Sequence, residues 1–494
     1  MRSQVQGPDR AGKVGLTFDD VLLVPRFSEI RSRQDVDTSS RFSRRIRLSM
    51  PIASANMDTV TESAMAIAMA RLGGLGVIHR FMPLEEEVRE VARVKRSEGV
   101  VIEDPITLRA EDSVKDAWDI IEQHHIGGIV IVGRDRKIEG LVTRRDITLE
   151  EDFSKKLSEV MTPRRDLITA PNGVTLERAK RILYENKVEK LPLIDRRGKL
   201  AGLITSKDIT NRRRFPAATK DEKGRLRVAA AIGVKGDYVE RAMRLVEVGV
   251  DALVVDIAHG HSAHAIETVK KIKKELGDVE VVAGNVATSR GVTDLIRAGA
   301  DSVKVGVGSG SICVTRVVTG FGVPQLTAIM DSAKAAVKYD VPVIGDGGIR
   351  TPGDVTKAIA GGASTVMIGS LLAGTEESPG PTILRDGIRY KLTRGMASLA
   401  ASIDRRIRED NKGAKEEELI EEVVEEIVPE GVEGLIPYRG RVEDVVRELA
   451  GGLRSGMSYC GARTVSELQE NAEFLRITSA GHKESLPHDI RRVV

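Results

Sequence analysis

Cys313 stands in a stretch whose composition suits covalent chemistry, Gly306-Val-Gly-Ser-Gly-Ser-Ile-Cys-Val-Thr-Arg316. Gly306, Gly308 and Gly310 let the main chain turn sharply and aim its carbonyls or amides inward, which fixes the thiol on a constrained loop. A thiol so placed, with Thr315 and Arg316 beside it, reads as a nucleophile. Cys460 has no such setting and reads as an inert buried residue. Two glycine-bearing segments, Gly345-Asp-Gly-Gly348 and Gly369-Ser370, could cradle a phosphate on backbone N–H groups that only glycine lets a ligand approach closely. Asp346, between them, is placed to take ribose hydroxyls. Further polar residues stand where apolar runs stop: Asn56, Met57 and Asp58, then His79 and Arg80, Asp256 and Asn285.

Something must bring these residues together, and the apolar runs supply it. They occupy 51–55, 75–79, 228–232, 252–256, 280–284, 302–306, 342–346 and 365–369. Near-continuous Val/Ile/Ala runs suit strands buried on both faces. Most recur every ~22–28 residues, the length of a βα unit. Eight such units predict a (β/α)8 TIM barrel, class α/β, with a doubly wound open sheet as the alternative. Barrel enzymes carry their sites at the C-terminal ends of the strands, with the phosphate cradle after strands seven and eight. The polar and glycine residues above fall at those ends.

The gap between the second and third runs holds an internal repeat. Residues 104–147 align without gaps on 166–209, pairing Asp104 with Asp166, Gly140 with Gly202, Thr143 with Thr205 and Asp146 with Asp208. Each copy reads as a short strand, an amphipathic helix, two strands joined by a charged turn, and the start of another helix. The repeat resembles the tandem cystathionine-β-synthase-type (CBS, or Bateman) module, whose Gly-(Leu/Ile)-(Val/Ile)-Thr-x-x-Asp ending occurs twice. That resemblance implies that Thr143, Asp146, Thr205 and Asp208 contact the ribose of regulatory adenine or guanine nucleotides such as ATP or GTP; a structural pair with empty sites is the alternative. The expected organisation is barrel at 1–102, CBS module at 103–212 (repeats near 104–150 and 166–212), and barrel again at 213–494.

Composition narrows the class of protein. At 494 residues and 41% hydrophobic the chain can bury a large core, and at 3% aromatic that core must be aliphatic. Lys and Arg (76) nearly cancel Asp and Glu (73), which gives no reason to expect nucleic acid or an anionic membrane as partner. The first residues are polar, without the apolar stretch of a signal peptide. No uncharged apolar run reaches the ~18 residues that span a bilayer. Two cysteines build no disulfide framework. A soluble, cytoplasmic protein is expected.

Over essentially its whole length the chain is similar to the IMP dehydrogenase/GMP reductase family. The motifs are Phe18-Asp-Asp-Val-Leu-Leu-Val-Pro25, Asn56-Met-Asp-Thr-Val-Thr-Glu62, Asp256-Ile-Ala-His-Gly-His-Ser262, Ala283-Gly-Asn-Val286, Gly308-Ser-Gly-Ser-Ile-Cys313 and Gly345-Asp-Gly-Gly-Ile349. Gly369-Ser-Leu-Leu-Ala-Gly-Thr-Glu-Glu377, Val428-Pro-Glu-Gly-Val-Glu-Gly434, Gly451-Gly-Leu-Arg-Ser-Gly456 and Glu484-Ser-Leu-Pro-His-Asp489 complete the set. The resemblance implies purine-nucleotide oxidoreduction in guanine nucleotide synthesis, with Cys313 attacking C2 of the purine and hydride passing to NAD. It further implies that Asp256 and Asn285 hold the nicotinamide ribose and the catalytic geometry. Ser311, Gly348, Gly369 and Ser370 would bind phosphate, Asp346 ribose, and Met396 and Glu430 the base. Carbonyls of Gly308, Gly310 and Cys313 would form a potassium site completed by Glu484 and Ser485 of a neighbouring subunit, which implies a homotetramer.

The dehydrogenase branch also hydrolyses the covalent adduct, using an Arg-Tyr pair on a flap, here 397–430. No Arg-Tyr dipeptide occurs there; Arg389-Tyr390 lies outside it. Arg405, Arg406 and Arg408 are the candidates for activating water, with Thr315 as a second relay. Leu419, Ile420, Val423, Val424 and Ile427 recur at helical spacing and predict an amphipathic acidic helix. Thr393 replaces a usual tyrosine, Ala397 a usual glycine, and Asn56 before Met-Asp-Thr is typical of the reductase branch. Three readings follow: an IMP dehydrogenase, a GMP reductase using NADPH, and a catalytically silent nucleotide-binding paralogue.

Overall fold

A computed structural model describes residues 14–99, 101–124, 126–409 and 416–487. The N-terminal thirteen residues and His488-Asp489 of the last motif lie outside them. Two compact units emerge: Met1–Val94 with Ala217–Thr219 and Arg227–Val494, and Lys95–Pro216 with Lys220–Leu226.

The larger unit is a closed barrel of eight parallel strands: Ile52–Ser54, Leu75–Ile78, Ala229–Ile232, Ala252–Asp256, Glu280–Val286, Ser302–Val305, Val343–Asp346 and Thr365–Ile368. The last closes on the first through Val366 opposite Ile52. The second pairs directly with the third through Val77 opposite Ala229, although the whole repeat separates them in sequence. Alternate strand residues, among them Ala53, Leu75, Val77, Ala231, Val254, Val282, Ile344 and Met367, form one buried cluster. Phe42, Ile46 and Leu48, on and beside the short hairpin Ser40–Arg41/Arg47–Leu48, complete it. Large residues from that hairpin fill space that the alanines leave, because an eight-stranded barrel is packed solid rather than hollow.

Helices cover the outside, and the sequence sets their starts. After strand seven, Thr351 caps Pro352–Ala360: its hydroxyl accepts from Asp354 N–H, Asp354 accepts from Thr351 N–H, and Pro352 occupies a first-turn position where no N–H is needed. Val355, Ala358 and Ile359 are buried, and Val442–Tyr459 packs on this helix. A three-stranded sheet, Thr382–Arg385, Ile388–Arg394 and Glu433–Pro437, carries the flap. Ile388–Arg394 and Glu433–Pro437 pair antiparallel, so the chain leaves one strand, builds the flap and returns beside its starting point.

Two helices form the flap, Leu399–Glu409 and Glu416–Glu426, packed on each other. The predicted single acidic helix is the second of them. Leu419 and Val423 are buried there, whereas Val424 is 54% exposed and Ile427 lies past the helix end. The apolar stripe is therefore narrower than the spacing predicts.

The smaller unit has two sheets. One contains Thr107–Leu108, Gly128–Val132, Ile138–Thr143 and Thr162–Pro163, the other Ala170–Pro171, Lys190–Ile194 and Leu200–Thr205. Both hairpins shift register at equivalent places, between Ile131 and Val132 and between Leu193 and Ile194. Val130, Ile138, Leu141, Leu200 and Leu203 share one buried cluster, so the two copies complete each other's core. Among the described residues no helix is long and apolar enough to cross a membrane.

Candidate active site

The cysteine loop leaves strand six and is tied to one end of the flap by main-chain hydrogen bonds. Val432 N–H donates to Ile312 O (3.0 Å) and Val314 N–H to Glu430 O (2.9 Å), which sets Cys313 opposite Gly431. The segment beyond is joined in turn: Gly395 N–H donates to Val432 O and Glu430 N–H to Ala397 O, each 3.0 Å. Close approach requires glycine here, since a Cβ on Gly395 would stand 3.0 Å from Gly431 Cα.

Cys313 Sγ lies 3.2 Å from Thr315 Oγ1, and the Thr315 hydroxyl donates to Glu430 Oε2 at 2.7 Å. The half-buried thiol thus begins a two-step hydrogen-bonded path to a carboxylate. Arg316 does not join it. Its guanidinium donates to the Val323 and Val307 carbonyls and packs over Gly308 and Gly322, so it braces the loop instead of facing the sulfur.

Below the loop, Ser311, Gly348 and Ser370 line one cavity of about 300 Å³ together with Arg316 and Arg350. Gly347 and Gly348 have φ of 91° and 82°, left-handed values that bend the chain after strand seven around this space. Gly369 packs against Met57. Met396 Sδ accepts from Asp58 N–H at 3.4 Å, which puts the predicted base contact over the end of strand one.

The ribose candidates converge on a buried lysine. Lys304, on strand six and 3% exposed, donates to Asp256 Oδ1 (2.9 Å) and Asp346 Oδ2 (2.8 Å). Asn285 donates to the same Asp346 oxygen (2.9 Å) and to Gly306 O. Burial opposes the charge on Asp256, but the Lys304 and Arg80 cations, with hydrogen bonds from Lys304 and Asn56, hold its carboxyl below the usual range. Burial likewise opposes the ammonium, yet the two carboxylates keep it protonated well above the usual lysine value. The sequence-based reading missed Lys304. Its signal is a lone charge within Ser302–Val305, a strand buried on both faces.

The flap arginines part company. Arg405 lines a cavity of about 700 Å³ with Asp58, Arg80 and Lys235. Arg406 points outward and pairs with Glu422 of the second flap helix at 2.7 Å. The side chain of Arg408 lies outside the described residues. Arg394 ties the region together, bonded to Asp58 (2.6 Å) and to Asp404 of the first flap helix (2.7 Å). Thr393, in place of a tyrosine, is buried and its hydroxyl has no hydrogen-bond partner.

Other predicted residues lie elsewhere. Gly308 and Gly310 are in the cysteine loop, and Gly310 O accepts from Cys313 N–H at 3.2 Å. Glu484 ends the helix Ser479–Glu484, and the Ser485 hydroxyl bonds back into it at Gly481 O. In the smaller unit Thr143 donates to Asp146 (2.8 Å) and Thr205 to Asp208 (2.5 Å), closing capping boxes at the start of equivalent helices. Asp146 is exposed, whereas burial pushes the Asp208 carboxyl up.

Residues 15–488 match the family model described as IMP dehydrogenase / GMP reductase domain. Inosine-5'-monophosphate dehydrogenase of Nitrosopumilus maritimus is 54% identical over 97% of this chain and 99% of its own length. The enzyme of that name from Aquifex aeolicus is also 54% identical, over 97% of this chain and 96% of its own. A crystal structure of GMP reductase from Trypanosoma brucei with guanosine 5'-monophosphate superposes with a TM-score of 0.89 at 42% identity, covering 97% of this chain and 98% of that one.

Proposed function

The chain belongs to the IMP dehydrogenase/GMP reductase family, and we propose that within it the chain oxidises IMP to XMP with NAD, the step that commits IMP to guanine nucleotides. The observation that carries this reading is the Cys313–Thr315–Glu430 path, 3.2 Å and 2.7 Å long, above the cavity lined by Ser311, Gly348 and Ser370. Its near relatives along the whole chain are dehydrogenases by name.

IMP phosphate sits in the Gly348/Ser370 cavity, where Arg350 and the main-chain N–H groups oppose its charge. Ribose hydroxyls reach Asp346, and the base lies between Met396 and Glu430. Cys313 loses its proton through Thr315 toward Glu430, and the thiolate adds to C2. When bound, NAD accepts the hydride that leaves C2. Asp256 and Asn285 orient the dinucleotide at that face. Water then adds to C2, the thiolate departs, and XMP is released; the balance is IMP, NAD⁺ and water to XMP, NADH and a proton. Arg405, in the large cavity, orients and activates that water.

Carbonyls of Gly308, Gly310 and Cys313 suit a potassium ion: the set is neutral, so each dipole contributes without adding charge, and Gly310 keeps a lone pair beyond its bond to Cys313 N–H. That ion would brace the cysteine loop. Glu484 and Ser485 would reach it from a second copy, so the working form is a homo-oligomer, a homotetramer by the family resemblance. The CBS-type module binds adenine or guanine nucleotides at Thr143/Asp146 and Thr205/Asp208. Two unpaired cysteines fit a cytoplasmic enzyme.

A GMP reductase is the second reading, favoured by the flap without Arg-Tyr and by the Trypanosoma brucei superposition. Assaying the protein with IMP plus NAD, and separately with GMP plus NADPH, decides between them. NADH and XMP from the first pair are expected. Turnover of only the second pair reverses the direction, and turnover of neither leaves the silent paralogue.

A further inference from the structure

Lys304 touches neither predicted ribose subsite from the solvent side; it lies beneath both. Its side chain is 3% exposed, and its ammonium makes one short bond to each of two carboxylates assigned to different ligands. Asp256 faces the dinucleotide and Asp346 the purine nucleotide, an assignment that rests on the function proposed above. Four elements meet at the ammonium. Strand four brings Asp256, strand seven Asp346, strand five Asn285, and the loop after strand one Asn56, which bonds Asp256. Arg80, after strand two, adds a second cation near Asp256. Gly284 makes room for the lysine, because a Cβ there would meet Lys304 O at 2.6 Å and Lys304 Cβ at 2.7 Å.

Two carboxylates sharing one small buried space repel, and burial penalises each charge further. One ammonium between them offsets both effects and sets their separation. We propose that Lys304 is the positioning residue that holds Asp256 and Asp346 together as two acceptors, so that filling the nucleotide subsite and orienting the dinucleotide for hydride transfer depend on one buried cation. Lys304 itself exchanges no proton with substrate.

Lys304→Met keeps length and apolar volume but removes the charge. It is expected to weaken IMP binding, measured by calorimetry without NAD, at least tenfold, and to raise the KM for NAD at least fivefold. The sign of the pH effect follows from Asp256. With the cation present its carboxyl stays ionised to low pH; without it burial dominates and its pKa rises. The acid limb of kcat/KM should therefore move upward by at least one pH unit in Lys304→Met, and should stay in place in Lys304→Arg. A purely structural lysine would lower Tm and leave that limb unmoved. Should Lys304→Met not fold, Asp256→Asn reads the same coupling from the dinucleotide side. Calorimetric IMP affinity should fall at least threefold, although Asp256 contacts no part of IMP. Unchanged IMP affinity (within twofold) in whichever variant folds, or an unmoved acid limb in Lys304→Met, overturns the proposal. Binding of IMP by the unmodified protein reports separately on the assignment of the site.

Discussion

Replacing Cys313 by alanine removes the atom that bonds to C2 while leaving Ser311, Gly348 and Ser370 around their cavity. Turnover should fall about 10⁴-fold or more, with IMP affinity by calorimetry within a few-fold of the parent; an active Cys313→Ala protein rules the covalent route out. The arginines make a sharper contrast. Arg405 lines the large cavity and Arg406 is held outward by Glu422. Arg405→Ala should stop XMP release after a burst of about one NADH per site, because hydride transfer precedes hydrolysis. Arg406→Ala should lose its surface ion pair with Glu422 and keep steady-state activity within twofold. Parent-like steady-state XMP formation in Arg405→Ala removes that arginine from the water step, and the same result for Arg406→Ala and Arg408→Ala as well removes arginine altogether. At this scale the sequence is legible where a residue type is odd for its place, as with a cysteine among glycines. Neighbours in sequence mislead: Arg316 stands three residues from Cys313 and faces carbonyls.

The eight barrel strands are readable because burial on both faces leaves little but Val, Ile and Ala along each run, and their ends fall within a residue or two of the runs' ends. The flap is less readable. Its second helix shows as an acidic stripe, but the first, Leu399–Glu409, hides in a mixed segment whose helix is fixed by tertiary contacts. Asp404 meets Arg394, and Ser398 donates to Glu433. Val423 is 2% exposed where the second helix packs, and Ala401 is 1% exposed on the first. Val423→Asp puts an unpaired charge in that seam and should undock the helices without touching the barrel core. The expected result is slower steady-state XMP formation with the NADH burst and IMP affinity preserved. Loss of IMP binding would mean that the flap helices help build the nucleotide subsite.

At the scale of the whole chain, strands two and three pair directly although the inserted unit lies between them. The insert's own boundary residues are paired as well: Lys95 bonds Asp221 at 3.0 Å and Glu98 bonds Lys220 at 3.0 Å. Replacing residues 103–212 by a short linker leaves those pairs intact. The shortened protein should fold and retain activity within about threefold, since a surface insertion contributes little to the closure of the barrel. Any response to ATP or GTP should disappear from its kinetics; a response that persists locates the effector site in the barrel. The repeat is legible in the sequence because its two copies share residues at a constant offset, and the structure adds register shifts at equivalent places.

The hydrogen bonds that set 395–397 beside 430–432 also divide the chain into a part whose length matters to the site and a part whose length matters little. With one foot of the flap bonded to the cysteine loop and the other foot bonded to the first, the chain between them is a closed excursion. Doubling such an excursion costs only about 0.6 kcal/mol of closure entropy. A change of length in that excursion therefore costs little and need not disturb the bonds at its feet. The barrel can thus be inherited almost unaltered while its cover is replaced, and the cover is where adding water to C2 would part from taking ammonia off it. The missing Arg-Tyr pair falls between the two feet, where such an anchored cover can change without moving the thiol.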